Sequence, residues 1–115
     1  MTRAEINALC AARPGATLHH SFGPGHDVWK VGDKMFAVMG AADDGISLKT
    51  GGPDTAAMLI DAGVGERAPY LHASWVRLPP GSDDGEIAHR VRSSYALIRA
   101  TLTKKAQAAL PREDA

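Results

Sequence analysis

Cationic side chains in the middle of the chain are of the type that holds a phosphate backbone. They are Lys30, Lys34, Lys49 and Arg77. Contacts to phosphates need only Lys or Arg on an open surface, at about the spacing of the phosphates. Trp29 and Trp75 have flat ring faces on which nucleic-acid bases stack. This set would suit a nucleic-acid-binding face. A simpler interpretation stays open beside it and is favoured by these residues alone, since lysine on an exposed strand keeps a sheet edge soluble.

The histidines are metal-ligating residues, but their spacing does not favour a metal site. His19 and His20 are neighbours on a predicted strand, so their side chains point to opposite faces. No pair among the five histidines has a two- or four-residue helical spacing, and Cys10 is the single cysteine. We therefore expect no metal and no cofactor.

Residues that could support catalysis lie in unsuitable places. The acidic pairs Asp43–Asp44 and Asp83–Asp84 stand beside glycine, where aspartate forms turns and helix caps. The segment Ser93–Tyr95 has no evident base, and Ser94 is better interpreted as a packing residue or a helix break. The loop at 51–53 precedes a helix that could receive an anion, but it lacks the lysine of a nucleotide-binding loop. We expect no enzymatic activity.

Length and charge restrict the class of protein. A chain of 115 residues forms one domain, which we place at 1–110, followed by a polar tail at 111–115. The 13 basic and 13 acidic residues cancel, which argues against tight non-specific DNA binding. Basic residues from His89 to Lys105 would suit a docking helix, but the helix macrodipole favours cations towards a helix end in any case, and this second interpretation is the preferred one. No apolar run is long enough to span a bilayer, and the single cysteine favours the cytoplasm.

Periodicity predicts helices at both ends and an antiparallel sheet between them. Alternation on either side of Gly32–Asp33 indicates a hairpin. Predicted strands are Thr17–Phe22, Val28–Val31, Lys34–Met39, Ile46–Lys49 and Ser74–Leu78. Predicted helices cover Arg3–Ala12, a segment opening at Pro53, and a C-terminal pair after Ser82. The predicted core is Ile6, Leu9, Val28, Met35, Ala37, Leu48, Leu59, Ile60, Trp75, Val91, Tyr95, Ile98 and Leu102.

Four stretches together resemble the MmcQ/YjbR family of small bacterial proteins. They are Phe22–Gly25, Val28–Ala37, Ile46–Lys49 and Ser94–Ile98, in order over roughly residues 3–106. The resemblance implies a CyaY-like α+β domain, with helices on one face of an antiparallel sheet. It also implies a DNA-binding label, which rests on the likeness of such sheets to a "double wing" shape. Around Trp75 this chain departs from the common pattern, because Ala73 and Ser74 replace a basic residue and histidine, and Val76 replaces asparagine.

The sequence thus predicts an α+β fold with four to five strands. The function that it favours is a small cytoplasmic binding module for DNA, acting through a basic sheet face and hairpin. The residues expected to bind are Lys30, Lys34, Lys49, Arg77 and Trp29. An alternative is a protein-interaction module or homodimer, which would use an apolar patch around Trp29, Phe22 or Tyr70.

Overall fold

The computed structural model describes residues 1–112, and within them the chain forms six strands and four helices. The strands are β1 (Thr17–His19), β2 (Asp27–Val31), β3 (Lys34–Met39), β4 (Ile46–Lys49), β5 (Glu66–Arg67) and β6 (Trp75–Leu78). The helices are α1 (Arg3–Ala11), α2 (Pro53–Asp61), α3 (Asp84–Ala100) and α4 (Lys104–Ala108). No helix in this part of the chain has both the length and the apolar character to cross a bilayer. The predicted tail lies outside the described residues from position 113 onward.

The strands form one antiparallel sheet in the order β1-β2-β3-β4-β6-β5. The α+β class is confirmed, but six strands replace the expected four to five. The additional strand is β5, which the sequence treats as a connector because two residues carry no detectable alternation. Gly65 allows it to lie close to β6, since a Cβ there would fall 2.5 Å from the Val76 side chain.

Helices α1 and α3 cover one face of the sheet and enclose the main core. Their buried residues Ile6, Val91 and Tyr95 pack with buried sheet residues. Cys10 is fully buried there, and this burial raises the pKa of its thiol to about 12, so the thiol stays protonated. Cross-strand pairing defines the opposite side, which we call the outer face. Its central row is His19, Val28, Val38, Ser47, Arg77 and Glu66.

A β-bulge in β3 changes which of its residues face the helices. Trp29 pairs with Ala37 and Lys30 pairs with Met35, so Phe36 has no partner on β2. Phe36 turns towards α3, where its ring meets the Tyr95 ring edge-on at 5.4 Å. The prediction that Met35 lies in the core is therefore wrong, because the bulge leaves Met35 only half-buried while Phe36 is fully buried.

The hydroxyl of Ser94 joins α3 to the sheet at this bulge. It donates to the Phe36 carbonyl at 2.6 Å and accepts from the Lys49 N–H at 2.9 Å. Ala37 pairs with Leu48, so the Phe36 carbonyl and the Lys49 N–H are at the position of the next backbone hydrogen bond between β3 and β4. The Ser94 hydroxyl bridges these two groups in place of that bond. Of the two interpretations of Ser94, the packing residue is confirmed, and the helix break is wrong, since α3 continues to Ala100 and buries Ser94.

Arg3 on α1 holds two loops of the sheet in place. Its guanidinium donates to Asp27 at 3.0 Å and to the Gly40 carbonyl at 2.6 Å, and it also donates to the Gly25 carbonyl. Burial of the Asp27 carboxyl would raise its pKa, but hydrogen bonds from Asn7 and Arg3 outweigh burial and hold the pKa below its ordinary value. The first turn of α1 therefore fixes where both loops leave the sheet.

We predict that Ser94→Ala lowers the free energy of unfolding by about 2–3 kcal/mol, because two backbone groups lose their partner inside the protein. Urea denaturation checks this. The matched control is Ser93→Ala, whose hydroxyl makes no hydrogen bond within residues 1–112 and whose loss should cost less than about 0.5 kcal/mol. Equal losses in the two variants would show that the Ser94 bridge does not stabilise the fold.

Candidate binding groove

A groove of about 620 Å³ lies on the outer face. Three segments form its walls: Phe22–His26 between β1 and β2, Gly40–Gly45 between β3 and β4, and Pro69–Leu71 between β5 and β6. Its floor is made by Val38, Ser47 and Arg77 of the sheet. The volume falls within the range of about 300–1,000 Å³ that is typical of ligand sites.

The rim of the groove is apolar and aromatic. Phe22 is 51% exposed and Tyr70 is fully exposed. Phe22 meets the His26 ring edge-on, with 6.4 Å between the ring centroids. Ala41 and Ala42 continue the apolar lining between them. Large exposed apolar side chains that gather around a concavity are typical of interaction sites.

Tyr70 has a backbone conformation that tyrosine rarely adopts. Its φ is +65°, and the Leu71 N–H donates to the Ala68 carbonyl at 3.4 Å, with Pro69 at the second position of the turn. This is the arrangement of a type II turn, whose third position favours glycine. A bulky side chain there costs on the order of 1 kcal/mol, and a fully exposed ring gains no packing in return. Backbone strain of this kind is often found at ligand-binding sites.

Arg77 is held on the floor by two carboxylates. Its Nε donates to Glu66 at 2.8 Å and its Nη1 donates to Asp44 at 2.7 Å. The second terminal nitrogen of Arg77, Nη2, and the second oxygen of Asp44, Oδ1, make no hydrogen bond within residues 1–112. The groove therefore offers a spare donor and a spare acceptor, and the three side chains together carry one excess negative charge.

The cations predicted to hold phosphates do not lie together. Lys30 and Lys49 both belong to the outer face, and Lys30 has no polar partner in the described part of the chain. Lys34 lies on the helix side, where it donates to the Thr101 hydroxyl at 3.2 Å beyond the end of α3. Arg77 is already paired with carboxylates, as described above. The basic surface implied by the sequence is therefore divided between two sides of the sheet.

Trp29 lies in the core and offers no open ring face. It is 6% exposed, and its indole N–H donates to the Asn7 side chain at 2.8 Å. This corrects the interpretation of Trp29 as a stacking surface and as part of an exposed patch. Of the apolar residues named for that patch, Phe22 and Tyr70 are exposed. Trp75 is also mostly buried, at 9% exposure.

One polar cluster escapes the sequence analysis. The Ser74 hydroxyl accepts a short hydrogen bond from the Lys49 ammonium and lies 2.8 Å from Nδ1 of His72. The Ser74 backbone N–H also donates to Nδ1 of His72, at 3.1 Å. If the Ser74 hydroxyl donates to Nδ1 as well, it is the second donor to that nitrogen. Histidine two residues before serine is the one local signal in the sequence. The cluster links β4 to the turn before β6. Because Ser74 is only 1% exposed, its hydroxyl is not accessible as a nucleophile.

The fold is that of an α+β domain with a six-stranded antiparallel sheet, and comparisons with known proteins agree with this class. The YjbR family matches residues 11–97, and the chain belongs to this family. A solved structure that resembles it is the Deinococcus radiodurans protein DR2400, which contains a DUF419 domain. That structure has a TM-score of 0.81 at 23% identity and covers 93% of this chain and 86% of its own. No curated protein matches.

We predict that Tyr70→Gly raises the free energy of unfolding by up to about 1 kcal/mol, because glycine adopts a positive φ without strain. Thermal unfolding of the variant beside wild type checks this. The control Tyr70→Phe keeps both the ring and the strained backbone and should leave stability unchanged. A less stable glycine variant would contradict the prediction, because it would show that the strain at Tyr70 is smaller than the freedom that glycine adds to the unfolded chain.

Proposed function

We propose that this protein is a non-enzymatic, cytoplasmic binding module whose groove takes an extended segment of a partner protein. The observation that carries the proposal is the aromatic rim, in which Phe22 and the strained, fully exposed Tyr70 flank an apolar concavity. Exposing these rings to water is unfavourable in the free chain. Burying them against an apolar side chain of a partner would remove that cost.

Arg77 on the floor of the groove and Asp44 on its wall suit a peptide backbone. A peptide unit carries one N–H donor and one carbonyl acceptor. The free Nη2 of Arg77 can donate to such a carbonyl, and the free Oδ1 of Asp44 can accept from such an N–H. The apolar walls then contact the side chains on either side of that unit. A volume of about 620 Å³ holds a few side chains rather than a whole folded surface.

Binding of DNA through the same face is a second proposal, and one observation favours it. Lys30 lies on the outer face without a polar partner, and Lys49 shares that face. Arg77 contributes less than its position suggests, because Asp44 and Glu66 neutralise it. Lys34 could reach a phosphate only from the helix side of the sheet. These charges support a weak and strongly salt-dependent contact.

We predict that Ala42→Trp abolishes peptide binding by filling the groove. The measurement is selection of wild-type protein against a displayed random heptapeptide library, followed by fluorescence anisotropy of the enriched peptides. The affinity of these peptides should fall at least about tenfold in the variant, since the indole occupies the space of one peptide side chain. The matched control is Ala57→Trp, an equally exposed site on α2 away from the groove.

Two results would contradict this proposal. One is a selection that enriches no peptide, and the other is peptides that bind Ala42→Trp as well as wild type. Either would show that the groove is not a peptide site. Loss of binding in Ala57→Trp as well would assign the effect to an added tryptophan rather than to the groove.

For the second proposal, we predict that Lys30→Ala combined with Lys49→Ala flattens the salt dependence of DNA binding. Each lost phosphate contact should reduce the slope of log K against log salt by about 0.7–0.9. Anisotropy of labelled single- and double-stranded oligonucleotides at several salt concentrations measures it. The control replaces the exposed pair Lys104 and Lys105 of α4 by alanine. An unchanged slope in the first variant would remove the outer face from any DNA contact.

A further inference from the structure

The charge of the ion-pair cluster formed by Arg77, Asp44 and Glu66 limits which peptide can bind. Arg77 and Asp44 line the groove, and Glu66 pairs with Arg77 from outside it. Arg77 contributes one positive charge, while Asp44 and Glu66 contribute two negative charges. Both carboxylates are about half-exposed, whereas Arg77 is mostly covered. The accessible part of the charge is therefore negative. The overall net charge of zero adds no long-range positive field to offset it.

We infer that the groove recognises a segment in which an apolar residue adjoins a lysine or arginine, with the cation on Asp44. This rests on the proposed peptide-binding function and specifies its ligand. The Oδ1 atom of Asp44 is free to accept a hydrogen bond from such a cation, since Arg77 uses Oδ2. Asp44 itself lines the groove, so the cation and the apolar residue reach it from the same segment.

The aromatic rim also favours a cationic ligand. The exposed faces of Tyr70 and Phe22 attract a cation that passes over them, because the ring face carries partial negative charge. An acidic segment would bind less well at this site. To bind a carboxylate or phosphate with its full guanidinium, Arg77 would have to leave Asp44 or Glu66, and the released carboxylate would then repel the ligand. The site thus selects against anions as well as for cations.

The test uses three pools of blocked, fluorescein-labelled hexapeptides with the same randomised apolar positions. The remaining positions are lysine and serine in the first pool, glutamine and serine in the second, and glutamate and serine in the third. Anisotropy at low salt should rank binding as basic, then neutral, then acidic. We expect the basic pool to bind about fivefold more tightly than the neutral pool, the upper end for a partly exposed ion pair.

The variant that separates charge from shape is Asp44→Asn, which keeps the size of the side chain. It should bring the affinity of the basic pool to within about twofold of the affinity of the neutral pool. Both pools are measured on the same variant, so that any general loss of binding at Asp44 cancels from this ratio. Glu66→Gln removes the other carboxylate without altering a groove-lining residue and should reduce the preference by less. The matched control is Asp54→Asn, which removes one exposed charge from α2 outside the groove and should preserve the preference.

The outcomes distinguish this inference from the function on which it rests. Groove-dependent binding with equal affinity for all three pools would overturn the inference and leave peptide binding intact. A preference for the acidic pool, or a basic preference that persists in Asp44→Asn, would also overturn it. If no pool binds and Ala42→Trp makes no difference, both proposals fail together.

Discussion

The structure depends on a single hydroxyl placed between a helix and two strands. Without the Ser94 bridge, the bulge in β3 would leave a backbone carbonyl and an N–H unpaired inside the protein. With it, β3 can carry one extra residue, and Phe36 can fill the core against Tyr95. Because of the same extra residue, Met35 lies opposite Lys30 and faces outward with it. Core packing and the composition of the outer face are thus linked through one side chain.

Much of the fold follows from local signals in the sequence. The capping box of Thr2 and Glu5 marks the start of α1, and the structure shows both of its hydrogen bonds. The hairpin of β2 and β3 follows from alternation about a glycine turn. The missed features have no local signal: β5 is two residues long, and the bulge requires a partner from α3. Ile60 illustrates the same limit, because it fits the apolar stripe of α2 yet remains 38% exposed.

The groove was harder to predict because its parts are distant in sequence. Arg77 and Asp44 are 33 residues apart, and their ion pair appears only once β4 lies beside β6. A composition-based estimate counts Arg77 as a free cation, whereas its two ion pairs leave the cluster of Arg77, Asp44 and Glu66 with one excess negative charge. The interpretation of Trp29 as an exposed stacking surface is wrong because it also depends on a distant residue. Asn7 on α1 accepts the hydrogen bond that allows the Trp29 indole to be buried. The exposure of Phe22 and Tyr70 alone was within reach of the sequence.

The bonds made by Arg3 also determine how the groove can change its width. Its guanidinium ties the loop at Gly25 to the turn at Gly40, so two of the three walls keep a fixed spacing. The third wall, Pro69–Leu71, makes no hydrogen bond to the other two walls within residues 1–112. The groove therefore has two walls whose spacing Arg3 fixes, and a third wall that Arg3 does not hold. Related chains could acquire new ligand preferences by altering the short turn at 69–71, while the anchored side and the core beneath it stay the same.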